Sequence, residues 1–459
     1  MKQSTRRFIF RLIGLLLLGG WGGGLQAQTS VMLEDYIRLG LENNPRTQSR
    51  RLNLQQSDLQ IKQAKALGLP TLTFNANYTR ALGGRKLDFP IGDLLNPAYN
   101  ALNAINPQFM FPTLENQQIQ FLPDNFHETK LNFAYPLYNT DIRYNRRIQQ
   151  QLRESQDAQL LATEHELRYQ ITEAYVRYLQ TWEAEKIWKN TREVLLELKR
   201  LNESLVKNNV ATKDIITTAD YELNKIDNEL FALETQRNTA QAYVNLLLFR
   251  DLQTPLVPDT NLLRALVPDY RLEPLLDQAQ RNRQELRALQ SGINASETAV
   301  KLNQSNQKLP DLYIGGELGF QGFGYKFNGD QAYMLAQVGL SYDLYDGGQR
   351  KQKTQISRIE AEKLKVQQAE VAQQIQMQVI QTFNEFLAAR FAFETAKTGV
   401  QSAESVFRIV NNKYRAGQAL LIELLEAQNR VTTARLQQSL AWSNVILKSA
   451  ELNRIAPEN

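Results

Sequence analysis

The sequence predicts a mainly helical chain that carries membrane β-strands. Three observations lead there. The stretches 142–207 and 349–416 contain no Pro and a single Gly, Gly399. Uninterrupted helices of that length run to about 100 Å at a rise of 1.5 Å per residue. Four segments of roughly ten residues alternate apolar and polar side chains, the pattern of a strand with one lipid-facing side. Finally, the two kinds of element occur twice, in the same order.

The first 27 residues read as a targeting segment. Lys2, Arg6, Arg7 and Arg11 precede an apolar run from Leu12 to Leu18, and Leu25-Gln26-Ala27 offers a small-residue cleavage site before Gln28. This is the three-part secretory signal pattern, and the run is far shorter than the roughly 20 residues a spanning helix needs. Of 53 basic residues, four fall in this segment; the remaining 49 face 48 acidic ones. A near-neutral mature chain lacks the concentrated basic face that phosphate recognition requires, so nucleic acid is excluded as a partner. The chain has no Cys and two His, His127 and His165. Disulfides, thiolate metal sites, cysteine nucleophiles and a lipidated N-terminal Cys are therefore excluded, and a multi-His metal centre is not available.

Residues 28–248 form a first repeat, 249–271 a connecting equatorial segment, and 272–459 a second repeat. Leu33-Glu34 and Asn43 recur as Leu272-Glu273 and Asn282, and Pro70 recurs as Pro310. Tyr135-Pro-Leu-Tyr138 recurs as Tyr342-Asp-Leu-Tyr345, and Tyr175, Tyr178 and Leu179 recur as Phe383, Phe386 and Leu387. Each repeat opens with helices, 31–67 and 272–306, that stop before Pro70 and Pro310. Strands follow at about 70–80, 129–138, 311–321 and 332–344. Leu72, Phe74, Ala76 and Tyr78 share one parity; so do Leu131, Phe133, Tyr135 and Leu137, and Met334, Ala336, Val338 and Leu340. Half-buried strands of a soluble sheet share this pattern, so the alternation alone leaves both readings open. The first strand pair is joined by a long loop, 81–127, with five Phe (Phe89, Phe109, Phe111, Phe121, Phe126), five Pro and little charge. Long connections of this kind are usually functional or disordered.

Helix pairs 142–207 with 213–248, and 349–416 with 420–454, complete the repeats. Ile216, Ala219, Leu223, Ile226, Leu230 and Leu233 keep a 3-4 spacing, as do Phe393, Ala396, Val400, Ala403, Phe407, Val410 and Tyr414. Such heptads call for coiled-coil packing. Gly417 suits a left-handed cap at the end of its helix, and Asn209 holds the matching place in the first repeat. Four strands cannot close a membrane barrel, because an open edge in lipid leaves backbone groups unpaired. Two copies supply eight strands and three supply twelve.

The order of these parts, Tyr342-Asp-Leu-Tyr-Asp-Gly-Gly348, and Lys413-Tyr-Arg-Ala-Gly417 followed by Glu423-Leu-Leu-Glu-Ala-Gln428 together resemble the TolC family over about residues 30–455. These are outer-membrane factors of tripartite efflux and type I secretion systems. The resemblance implies a homotrimer with a twelve-stranded outer-membrane barrel on a periplasmic α-helical barrel. It also implies a passive exit duct, served by a periplasmic adaptor (membrane fusion) protein at the hairpin tips and an inner-membrane transporter of the RND, ABC or a similar type. Glu423 and Glu426 match the acidic pair that rings the family's periplasmic entrance, normally two Asp. Asp214 and Tyr414 match positions that tie neighbouring hairpins shut. The family's basic partner falls on Ala419 here, with Arg415 or Lys413 as substitutes or a gate that closes differently. No Ser/His/Asp arrangement, phosphate loop or metal-ligand cluster points to an enzyme, and no cofactor is expected. The competing reading is an exported periplasmic coiled-coil protein without channel activity, which accounts for the heptads but not for the four alternating strands.

Overall fold

A computed structural model describes residues 31–106, 108, 110–264 and 266–458; the targeting segment lies outside them. The chain divides into two compact units, each built from both repeats. Of the described residues, one comprises 45–165, 277–378 and 456–458; the other comprises 31–44, 166–276 and 379–455. Three helices, α4 (Thr140–Lys207), α6 (Leu272–Asn282) and α8 (Gln349–Arg415), contribute to both.

The first unit holds a four-stranded antiparallel sheet. Its strands are β1 (Thr71–Thr79), β4 (Phe126–Tyr138), β5 (Asp311–Phe323) and β6 (Ala332–Ser341), in the order β1-β4-β5-β6. The register lines up side chains of one parity across all four. Leu72 faces Phe133, Phe74 faces Leu131, Leu131 faces Leu318 and Leu318 faces Met334. Residues directly opposite point to the same side of a pleated sheet, so one face is continuously apolar. That face is bare in the single chain: Leu72 is 69% exposed, Val338 73% and Met334 80%. The other face is polar. Lys130 Nζ lies 2.8 Å from Glu128 Oε1 and 3.2 Å from Glu317 Oε2, and the Tyr333 hydroxyl donates to Glu317 at 3.3 Å. Among the described residues, β1 and β6 each have an unpaired edge.

Helices α2 (Pro45–Ala66) and α7 (Gln284–Ser305) precede β1 and β5. The strand-to-helix turns are held by short polar side chains. Before α4, Asn139 Oδ1 accepts the Ile142 N–H at 3.0 Å. Before α8, Asp346 accepts the N–H groups of Gly348 at 2.9 Å and Arg350 at 3.0 Å. The main-chain bond from Arg350 is the chief reason the Asp346 carboxyl sits below the usual range. Gly347 and Gly348 both have positive φ, which is why two glycines follow Asp346.

The connection between β1 and β4 is not a structureless loop. It contains β2 (Lys86–Phe89), paired with β3 (Gln117–Gln120), and between them a helix, α3 (Ile91–Ile105). Its neck is closed where the Ala81 N–H donates to Asp124 Oδ1 at 3.0 Å. β4 begins at Phe126, so the connection is 80–125 rather than 81–127.

The second unit is helical. Helices α1 (Val31–Asn43), α5 (Asp214–Leu248) and α9 (Leu421–Ile455) join parts of α4, α6 and α8. Its main core gathers Leu33 and Ile37 of α1, Ile171, Tyr175 and Leu179 of α4, Val244 and Leu248 of α5, and Leu256 and Leu263 of the equatorial segment. Three tyrosines pin that segment. Tyr175 donates to the Val257 carbonyl at 2.7 Å, Tyr178 donates to the Leu256 carbonyl at 3.1 Å, and Tyr36 accepts the Val257 N–H at 3.0 Å. Burial pushes the Tyr175 and Tyr178 phenols up. Among the described residues, no helix is long and apolar enough to cross a membrane.

Candidate functional site

The predicted site residues cluster at the two hairpin tips of the helical unit. Both long helices end in the same way. Asn209 has φ 57°; its N–H donates to the Val206 carbonyl at 3.0 Å, and the Val210 N–H donates to the Leu205 carbonyl at 2.9 Å. Gly417 has φ 70°; its N–H donates to the Tyr414 carbonyl at 3.0 Å, and the Gln418 N–H donates to the Lys413 carbonyl at 2.8 Å. Both are Schellman caps, in which a left-handed residue satisfies carbonyls at the helix end.

Beyond the first cap, Thr212 donates its hydroxyl to the carboxylate of exposed Asp214. Asp214 is the first residue of α5, where its charge complements the helix N-terminus. Beyond the second, Glu423 lies in the first turn of α9 and its Oε2 accepts the Leu420 N–H at 2.9 Å. That is the returning half of a capping box. Glu426 is exposed, and its Oε1 lies 2.5 Å from Nη2 of Arg430, one turn along the helix. The two carboxylates therefore share a helix face, and each already has a local partner.

Beneath the tips lies an apolar cluster of Leu195, Leu198, Leu223, Ile226, Leu424 and Leu425, with Ala419 packed against it. Tyr414 is buried in this cluster, and burial pushes its phenol above the usual range. Its hydroxyl donates to Asn202 Oδ1 at 2.6 Å, and Asn202 Nδ2 donates to the Ile215 carbonyl at 3.2 Å. One buried relay therefore joins α8 to α4 and to the start of α5. Within the chain Tyr414 bonds Asn202 rather than Asp214. Arg415 is exposed and lines a cleft with Leu198, Leu201, Phe407, Asn411 and Gln428. A second polar layer follows along the hairpins, where the Thr191 and Thr432 hydroxyls lie 2.8 Å apart.

Asn202 and Arg430 are site residues that motif reading missed. Both left signals. Asn202 interrupts the 3-4 apolar spacing of Leu195, Leu198 and Leu205, and a polar residue at a core heptad position commonly fixes register. Arg430 stands four residues after Glu426. Among the described residues, no group of three or more His, Cys, Asp or Glu is placed to hold a metal ion.

Comparison with known proteins adds to this geometry. Residues 275–456 match the sequence model of the family described as outer membrane efflux protein. No curated protein matches the sequence. The fold is similar to the outer membrane protein VceC of Vibrio cholerae, at 16% identity and a TM-score of 0.70, covering 92% of this chain and 96% of that one. It is similar to CusC, in a study of folding and transmembrane channel formation, at 12% identity and a TM-score of 0.74, covering 97% and 96%. It is also similar to the MtrE outer membrane channel of Neisseria gonorrhoeae in its open state, at 14% identity and a TM-score of 0.71, covering 93% and 88%. In agreement with the TolC-family resemblance of the sequence, residues 275–456 are recognised as outer membrane efflux protein sequence, and the chain has the fold of TolC-like outer-membrane channels.

Proposed function

We propose that this protein is the outer-membrane exit duct of a tripartite efflux or type I secretion system. It conducts drugs, small molecules or proteins passively outward from a periplasmic adaptor and an inner-membrane pump. The observation that carries this is the four-stranded sheet, with its bare apolar face and two open edges. Exposed apolar area of this extent has no place in water, and open edges have no place in lipid. All neighbours in the sheet are antiparallel, so β1 and β6 run in opposite directions. The β6 edge of one copy therefore pairs antiparallel with the β1 edge of the next, and copies add strands in fours until a ring closes. A homotrimer closes at twelve strands, with its polar face inward.

The helical hairpins belong on the periplasmic side, with their tips as the adaptor's landing point and the duct's entrance. Three copies bring the Glu423 and Glu426 carboxylates around that entrance. A ring of this kind concentrates negative potential where the bore is narrowest and favours cations. The Arg430 guanidinium beside Glu426 offsets part of it. A water-soluble periplasmic spacer is disfavoured because it leaves Val338 and Met334 without a cover.

The test is mass photometry in mild detergent followed by planar-bilayer recording. A trimer that conducts ions is expected. A stable folded monomer without conductance overturns the reading.

A further inference from the structure

The helix α3, in the connection between β1 and β4, is amphipathic in the inverted sense. The face it turns to its own chain is polar. Asn96 Nδ2 donates to the Leu114 carbonyl at 2.9 Å, and its Oδ1 accepts the Leu114 N–H at 2.8 Å. Asn103, two turns on, repeats this with Phe111, at 3.0 and 2.7 Å. Each side-chain amide thus pairs with a backbone as a neighbouring strand does. Gly92 completes the contact: a Cβ there would lie 2.3 Å from the Leu114 carbonyl oxygen. The opposite face is apolar and bare, with Leu94 70% and Ile105 81% exposed. The ordinary arrangement of a surface helix buries its apolar stripe. Here the asparagines hold that stripe outward.

Three features indicate what covers it. Ile91, Leu94, Ala98, Ala101 and Ile105 are spaced 3-4-3-4, the seam of a coiled coil with small residues at its middle. Residues 94–114 contain no Asp, Glu, Lys or Arg. Helices that lie on an anionic lipid surface carry Lys and Arg on their polar face; α3 has neither, and its one charge, Asp93 in the first turn, accepts from Asn116 Nδ2 at 2.9 Å, outside the stripe. The connection also springs from β1, an edge strand, so it stands at the seam where the next copy joins.

From these we infer that α3 is a self-association helix, whose copies pack stripe against stripe. The inference rests on the trimer reading. In a threefold ring, three identical stripes meet one another only at the axis, so the copies form a three-helix cap over the outer mouth of the barrel.

The chain has no Cys, so disulfide cross-linking has no background. Ala98→Cys sits mid-stripe, and Asn100→Cys sits on an exposed polar flank of the same helix. After mild oxidation of the protein in lipid vesicles, Ala98→Cys should give a chain–chain dimer on a non-reducing gel and lower channel conductance, and reductant should restore it. Asn100→Cys should do neither. Leu94→Cys is the second stripe variant, should Ala98→Cys assemble poorly. A trimer in which Ala98→Cys and Leu94→Cys cross-link no better than Asn100→Cys overturns the inference and leaves the duct intact. Quenching of a label at 98 by a lipid-phase quencher, without cross-linking, places the stripe in lipid and overturns it too. A monomeric wild-type protein, seen by mass photometry, overturns the trimer reading and the cap together.

Discussion

Leu179 and Leu387 occupy matching positions in the two repeats, yet Leu179 is fully buried and Leu387 is 45% exposed. The difference comes from the equatorial segment. After α5 the chain returns over α4 and is held there by the Tyr36, Tyr175 and Tyr178 hydroxyls. On α8 the same segment is anchored at its far end: the Tyr270 ring lies 5.2 Å from the Phe386 ring, and Asp269 lies 2.5 Å from Arg390. Phe391 on α8 stays bare. A repeated sequence therefore does not make a repeated environment. One copy of the helix is covered from within the chain, and the other keeps an open ridge of apolar residues.

Substituting the matched pair tests this difference most directly. Leu179→Ala empties a closed core and should cost about 2–5 kcal/mol in denaturant unfolding. Leu387→Ala should cost less than about 1 kcal/mol in that assay, because solvent already reaches the side chain, but it should weaken the trimer towards sodium dodecyl sulfate. Equal losses in both assays would erase the contrast between the repeats.

A smaller effect is expected at the relay between the hairpins. Tyr414→Phe leaves the buried Asn202 amide oxygen without its donor and should cost about 1–3 kcal/mol, read as a lower unfolding midpoint. The folded-state phenol lies above its ordinary value of 10.0. Its contribution is therefore full below pH 10 and is lost as pH rises through the folded pKa. The wild type should lose more stability than Tyr414→Phe as pH rises above 10, and parallel profiles would remove Tyr414 from the account.

Next come the caps. Gly417→Ala forces a Cβ into the left-handed region and should cost about 1–2 kcal/mol. Asn209→Ala should cost less, since Asn already carries part of that penalty, and Asn209→Gly should stabilise by up to about 1 kcal/mol. Thermal unfolding of the three variants ranks them, and a reversed order would break the equivalence of the two turns.

The entrance carboxylates should move stability least. Glu423→Gln with Glu426→Gln should stay within about 0.5 kcal/mol of the wild type, because Gln can still accept the Leu420 N–H. In bilayers the double variant should lose cation preference. Glu423→Gln alone should shift selectivity more than Glu426→Gln alone, as Arg430 already offsets the second charge. Unchanged selectivity in the double variant would falsify the ring.

How far the fold can be read from sequence follows from where period and polarity agree. The strands are legible because the apolar parity of β1, β5 and β6 runs uninterrupted, as Leu72, Leu318 and Met334 show. The long helices are legible because Pro is absent and the heptads persist. The interior of the β1–β4 connection is not. In α3 a Pro stands inside the helix and Asn recurs on the side turned to its own chain, and these helix-breaking signals mask the 3-4 spacing of Ile91, Leu94, Ala98, Ala101 and Ile105. The tip residues divide in the same way. Glu423 and Glu426 stand out by spacing within one helix, whereas the bond from Tyr414 to Asn202 joins residues 212 apart in sequence and depends on how two hairpins pack.

The inner face of the sheet carries one more consequence, for flow. A Cβ at Gly339 would lie 2.1 Å from the Tyr313 ring, so that ring lies flat across the glycine rather than standing away from the wall. Opposite Gly319, the β4 main chain leaves no room for a methyl either: Thr129 O would lie 2.3 Å away. Glycine thus acts here as a spacer that keeps bulk out of the lumen, with an aromatic folded over it as cladding. In the proposed ring the width of the barrel at this level then depends on how flat the tyrosine of each copy lies. If three copies close as proposed, a single methyl group at 339 would tip three rings inward at once and narrow the duct without touching either of its ends.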